Sequence, residues 1–167
     1  MAARPTILVV DDERELADLY AMWVDDDYET LTAYDGTTAL ERLHDGVDVV
    51  LLDRHMPDLN GDRVLEGIRS RGHDCWVIMV TAVDPGLDIV ELDIDDYVTK
   101  PVTRPQLTRI IDNLRVQSRY GDGDRRELES LSNKMEALED EHDLEELTDT
   151  EAYRRLETEL SEMSESL

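Results

Sequence analysis

The chain has 167 residues, enough for one ordinary domain and a short appendage but tight for two full domains. Its 42 Asp+Glu against 17 Lys+Arg leave a formal net charge of -25, which argues against a default role on nucleic acid or at a membrane surface. The basic residues are 15 Arg and 2 Lys, Phe is absent, and acids occupy both halves. That pattern is expected of a protein adapted to concentrated salt, where the Debye length falls to about 3 Å.

From the N-terminus, Thr6 to Val10 is a compact apolar run that ends in Asp11 and Asp12, so two carboxylates leave the end of a buried strand. Leu16, Leu19, Tyr20 and Trp23 then recur at spacings of three and four, which predicts an amphipathic helix over residues 13–26. Residues 28–33 read as a strand. Asp35-Gly36 signals a turn, and a short helix carrying Ala39, Leu40 and Leu43 closes at Gly46. Val49 to Leu52 is short and unbroken, as suits a strand buried on both faces, and it stops at Asp53. Pro57 and Gly61 force a loop. Taken alone, Asp53 reads best as the N-cap of a following helix.

Val64, Leu65 and Ile68 place a helix over residues 62–71, with Gly72 as its stop. Residues 76–80 form another buried strand, ending in Thr81. A short helix is expected from Asp84-Pro85 through Leu92, then a brief strand over residues 97–99 that ends in Lys100-Pro101. Leu107, Ile110, Ile111 and Leu114 mark a last helix over residues 103–120. Strand and helix alternate five times, which predicts an α/β fold: a parallel sheet with right-handed crossovers and helices on both faces.

Residues 121–167 change character after a Gly-Asp-Gly-Asp hinge. Leu128, Leu131, Met135 and Leu138 form one heptad-like seam, and Tyr153, Leu156, Leu160, Met163 and Leu167 a second. Thr148 to Glu151 has the spacing of a capping box, so the second helix is expected to start at Thr148 after a break in residues 140–146. Neither helix can bury its stripe alone. Each must pack on the other as a hairpin, on the first domain, or on a second copy as a coiled coil. Arg125-Arg126 and Arg154-Arg155 are expected to pair with the Glu residues of these helices.

Four buried strands thus end in polar groups fit for phosphate or metal chemistry: Asp11-Asp12, Asp53, Thr81 and Lys100. In a parallel sheet those ends share one edge. Three carboxylates there suit a hard divalent cation such as magnesium and need one to stay ionised side by side. A carboxylate so placed can attack a phosphoryl group and form an acyl phosphate, with Lys100 as counter-charge and Thr81 as hydroxyl donor. His44, His55, His73 and His142 lack a Cys or His cluster that would indicate zinc. Cys75, the only cysteine, excludes an intrachain disulfide and reads as a core residue in a reducing interior. No basic leader and no run of about 18 apolar residues is seen, so neither export nor a membrane span is expected, and the cytoplasm is the expected location.

Asp11-Asp12, Asp53 with Met56-Pro57 and Gly61, Thr81-Ala82, and Tyr97 three before Lys100-Pro101 together resemble the receiver domain of two-component response regulators over residues 4–118. The resemblance implies a flavodoxin-like, doubly wound five-stranded sheet of order 2-1-3-4-5, with a receiver in residues 1–120. It also implies that Asp53 is the phosphoacceptor, and that Asp12, Asp53 and the backbone carbonyl of His55 coordinate magnesium, with Asp11 acting through water. Lys100 would pair with the phosphoaspartate, Thr81 and Tyr97 would be the switch residues, and Lys100-Pro101 a cis peptide. A departure stands at Asp93-Ile94, where the family has Gly-Ala; with the short 82–96 segment, it bears on the fourth helix.

The acidic tail, residues 121–167, is similar to the HalX group of haloarchaeal response regulators. The receiver resemblance implies a phosphoacceptor rather than an enzyme, able to take phosphate from small donors and to lose it again. Its partners would be a sensor histidine kinase or phosphotransfer protein, and a second copy through the C-terminal helices. Two other readings compete: a DNA-binding regulator, opposed by residues 119–167 with 6 Lys+Arg and 17 Asp+Glu, and a metal-dependent phosphatase, for which no cap or substrate pocket is visible. The composition itself gives one expectation. The melting temperature rises as potassium chloride goes from millimolar to molar, and a flat or falling curve contradicts adaptation to salt.

Overall fold

In a computed structural model, which describes residues 4–120 and 123–166, five strands line up as β2-β1-β3-β4-β5, every pair parallel. They are β1 (Thr6–Val10), β2 (Glu29–Ala33), β3 (Val47–Leu52), β4 (Trp76–Thr81) and β5 (Asp96–Thr99). The unbroken apolar runs of β1, β3 and β4 occupy the centre, where a parallel strand is covered on both faces. Alternation divides each run between two cores. Leu8, Val10, Val50, Leu52, Val77 and Met79 face one side, and Ile7, Val9, Val49, Leu51, Ile78 and Val80 the other.

Helices α1 (Arg14–Val24) and α4 (Arg104–Tyr120) close the second side through Ala17, Tyr20, Val24, Leu107, Ile111 and Leu114. On the first side lie α2 (Gly36–Arg42) and α3 (Gly61–Ser70). Local sequence sets their ends. Asp35 accepts the Thr38 N–H at 2.6 Å, Asn60 caps α3 through the Arg63 N–H, and Gly72 ends α3 at φ 81.

The crossover between β4 and β5 departs from the expected helix over residues 84–92. It contains only a 3-10 turn, Leu87–Glu91, entered from Pro85-Gly86 without a side-chain cap. Its β-branched Ile89-Val90 and missing cap do not sustain a longer helix. The sheet face left open there is covered by α5 (Gly123–Glu141), which lies against β5 and the turn. Leu131 and Leu138 of α5 enter the same core as Ile89, Ile94 and Tyr97.

The tail continues through α6 (Leu144–Thr148) and α7 (Glu151–Ser166), which folds back on α5 so that Tyr153 donates to Glu139 at 2.6 Å. The expected start at Thr148 is thus displaced by two residues. Leu147 is drawn into the core and holds Thr148 as the last residue of α6, while Thr150 Oγ1 accepts the Tyr153 N–H instead. Both seams pack as expected, with Leu131, Leu138, Tyr153 and Leu156 buried and Leu128, Met135, Leu160 and Met163 partly so. Leu167 lies outside the described residues, as do Gly121 and Asp122 of the expected hinge. Among the described residues no helix is long and apolar enough to cross a membrane.

Candidate functional site

The backbone ladder runs one residue past each strand end and so fixes the position of the residue there. The Asp11 N–H donates to Ala33 O at 3.1 Å, Asp53 N–H to Val10 O at 2.9 Å, and Lys100 N–H to Thr81 O at 2.7 Å. Asp11, Asp12 and Asp53 thereby bring carboxylate oxygens within 4.8 Å of one another. Asp11 and Asp53 are buried and Asp12 is exposed, so the cluster opens to solvent on one side. Gly61 lets the following loop close under it. A Cβ at Gly61 would stand 2.4 Å from Asp53 O, and the Gly61 N–H donates to Arg54 O at 2.7 Å.

Lys100 is the counter-charge. Its Nζ lies 2.7 Å from Asp11 Oδ2 and 3.4 Å from Asp53 Oδ2. Burial works against the ammonium, but the Asp11 hydrogen bond and the charges of Asp53 and Asp11 outweigh it and raise the Lys100 pKa. Burial also raises the Asp11 carboxyl, with Lys100 and the Glu13 N–H pulling the other way. The donors are all hard oxygen, as a magnesium site requires. The Lys100-Pro101 peptide is cis, the His55 side chain is exposed, and the His55 backbone N–H lies 3.4 Å from Asp53 Oδ1.

Thr81 and Tyr97 meet through a shared residue. Thr81 Oγ1 accepts the Val83 N–H at 3.3 Å, and the buried Tyr97 donates its hydroxyl to Val83 O at 2.6 Å. Burial raises the Tyr97 phenol and the Arg54 guanidinium offsets it. Arg54 is an addition to the expected site residues. It is buried beside Asp53 and makes a fork to Asp62, Nε–Oδ1 2.9 Å and Nη2–Oδ2 3.0 Å, together with a bond to Asp88 on the 87–91 turn. Against the cost of burial, these carboxylates raise its pKa. In a chain with 42 acids, nothing in the sequence singles out Asp62 and Asp88, 8 and 34 residues on, as its partners.

A second network sits at the opposite end of β4. Asp95, buried, accepts the Val77 N–H at 2.9 Å and a bidentate contact from Arg126 of α5 at 2.9 and 3.1 Å. Arg126 also donates to Asp74 O and Cys75 O and lies 4.1 Å over the Trp76 ring. This corrects the expected pairing of Arg126 with the Glu residues of its own helices, because a buried planar acceptor set outcompetes exposed glutamates. Arg155 does bridge to Glu151 at 3.8 Å as expected, and also to Glu91 at 3.5 Å.

Comparison with known proteins agrees with this geometry. The response regulator receiver domain profile matches residues 7–112 and the HalX domain profile residues 118–167. A Haloferax volcanii protein described provisionally as a transcriptional regulator is 47% identical over 160 residues, covering 95% of this chain and 27% of that protein. Escherichia coli transcriptional regulatory protein CpxR is 41% identical over 105 residues, 60% of this chain and 45% of its own length. The chain therefore spans a quarter to a half of these relatives. A response regulator receiver domain from Clostridium thermocellum superposes with a TM-score of 0.63 at 29% identity, over 69% of this chain and 97% of that one.

Beside Tyr97, burial pushes the half-buried Asp96 up to about 6, and the nearby acids Glu136 and Asp95 add to it against the Tyr97 N–H bond. A carboxyl whose folded pKa lies above its unfolded value costs stability at neutral pH, and the cost vanishes as pH falls below about 4. Asp96→Asn, which keeps an acceptor for the Tyr97 N–H, is expected to melt above the wild type near neutrality. The gap closes as thermal scans are taken from pH about 6 down to about 4; a gap that widens on acidification contradicts this.

Proposed function

Since the chain belongs to the response regulator receiver family, with a HalX domain behind the receiver, we propose that it is a phosphorelay switch whose phosphoacceptor is Asp53. The observation that carries this is the meeting of Asp11, Asp12, Asp53 and Lys100 at one edge of the sheet. A partner histidine kinase or phosphotransfer protein supplies the phosphoryl group. An Asp53 oxygen forms the new bond to phosphorus, the bond from phosphorus to the donor imidazole breaks, and the imidazole nitrogen takes up a proton. The product is an acyl phosphate on Asp53, which water hydrolyses back to the carboxylate.

Asp12, Asp53 and the His55 carbonyl would hold magnesium, with Asp11 acting through water. Bound there, the ion supplies positive charge to the phosphoryl oxygens. Lys100 shifts from Asp11 toward the phosphoryl group, and the Thr81 hydroxyl donates to it. Movement of Thr81 reaches Tyr97 through Val83, whose two backbone groups they share. The chain acts as a signal transducer rather than an enzyme, and it accepts phosphate from small donors as well as from a partner.

The receiver occupies residues 1–120 and the helical extension residues 121–167. Phosphorylation changes protein contacts, including association with a second copy through the C-terminal helices, in a salt-rich cytoplasm. The relatives named as transcriptional regulators raise DNA as a target, but residues 119–167 carry a net charge of -11, from 6 Lys+Arg and 17 Asp+Glu, which opposes contact with phosphates. With acetyl phosphate and magnesium, intact-mass measurement should find one phosphoryl group per chain, lost in Asp53→Asn and lost when the metal is chelated. Equal incorporation in wild type and Asp53→Asn contradicts the proposal. Light scattering on the same samples reads the change of oligomeric state.

A further inference from the structure

Two polar groups near the strand ends keep unused hydrogen-bonding capacity. The Lys100 ammonium has three N–H donors. Its acceptors among the described residues are Asp11 Oδ2 at 2.7 Å and Asp53 Oδ2 at 3.4 Å, which leaves one N–H without a partner. Tyr20 of α1 is 3% exposed, and its hydroxyl has no hydrogen-bond partner among the described residues. Tyr28, equally buried in the same core, donates its hydroxyl to Asp112 at 2.7 Å. A buried phenol with no partner carries a desolvation cost that an apolar side chain in its place would avoid.

The placement of Tyr20 relates the two groups. Helix α1 starts two residues after Asp12, and Tyr20 stands six residues after Arg14, about 9 Å along the axis. Helical side chains lean towards the helix N-terminus, so this long one reaches back towards the strand ends. The core it belongs to includes Val9 and Val102, two residues from Asp11 and Lys100 respectively. Lys100 acts on the phenol more strongly than any other charge, ahead of Asp11 and Asp53.

We propose that Tyr20 is a positioning residue for phosphoryl capture: its phenol oxygen accepts the third Lys100 N–H when a phosphoryl group draws the ammonium away from Asp11. The proposal rests on Asp53 being the phosphoacceptor. At rest Asp11 holds the ammonium, and the phenol has no bond to lose. With the phosphoryl group on Asp53, the ammonium gives up the Asp11 contact, and the phenol fixes its remaining direction. Tyr20 therefore gains a bond in the phosphorylated state that it lacks at rest, and it favours that state by the difference.

Beryllofluoride with magnesium stands in for the phosphoryl group on Asp53. Tyr20→Phe removes the phenol oxygen and keeps the ring beside Trp23, 5.3 Å between centroids. Calorimetry on the full chain is expected to find beryllofluoride bound about tenfold more weakly by Tyr20→Phe, the loss of one hydrogen bond to a charged group. Thermal scans of the free proteins place Tyr20→Phe at or above the wild type, because no bond is lost at rest. Tyr28→Phe does lose one, so it melts lower, yet it binds beryllofluoride as the wild type does. The chain's 2 Lys give separate signals on carbon-13 labelling of the ε-methylene. The Lys100 signal is expected to coincide in wild type and Tyr20→Phe when free and to differ once beryllofluoride is bound. An affinity loss under about threefold, or one matched by Tyr28→Phe, overturns the role of Tyr20 alone. So does a lower melting temperature for Tyr20→Phe, or a Lys100 signal that still coincides in the bound state. A wild type that binds no beryllofluoride overturns the phosphorelay reading and the role of Tyr20 with it.

Discussion

Three carboxylates at one edge of a sheet repel one another, and the site exists because Lys100 is delivered between two of them. Asp11 and Asp53 are both buried, where charge repulsion is screened least, and the ammonium reaches both from the end of β5. The fold can be understood as the means of bringing those groups together. Central strands apolar on both faces fix the register, the ladder carries each chain end one residue further, and the Gly61 loop closes beneath Asp53. A lysine in this position does two things at once. It sets an ammonium between two buried carboxylates, and in the proposed function that same cation meets the phosphoryl group.

Much of that edge was legible in the sequence because each residue comes directly after a buried run. Asp11, Asp53, Thr81 and Lys100 are all marked by the point where apolar residues stop, and strand order then does the rest. The hidden part depends on contacts that no local pattern encodes. Arg54 looks like a loop residue until Asp62 and Asp88 are placed around it, and Arg126 finds Asp95 across 31 residues. The cap at Thr150 rather than Thr148 has a similar cause, since burial of Leu147 decides which threonine is free to cap. The missing crossover helix was foreshadowed by the shortness of the 82–96 segment. Its replacement by α5 was not.

That replacement changes how the two parts of the chain relate. Leu131 and Leu138 lie in the same core as Ile89, Ile94 and Tyr97, so the receiver's sheet is completed by its own tail. Yet the polar half of the contact, centred on Arg126, Asn133 and Lys134, reads as an interface between domains rather than as core. A receiver finished in this way has its own helices, rather than solvent, over that edge. The same arrangement explains why the tail carries so many acids on its outer faces while Arg126, Lys134 and Arg155 point inward, to Asp95, Val90 O and Glu91.

The proposed function turns on charge at the strand ends, and magnesium titration by calorimetry reads that charge directly. Asp12→Asn and Asp53→Asn should each weaken binding by about tenfold or more, because a hard cation loses a carboxylate oxygen. Lys100→Met should tighten it, since the ammonium that neutralises Asp11 and Asp53 no longer competes with the ion. Affinities indifferent to Asp12 and Asp53, or a Lys100→Met protein that no longer binds magnesium, would contradict a carboxylate site balanced by Lys100.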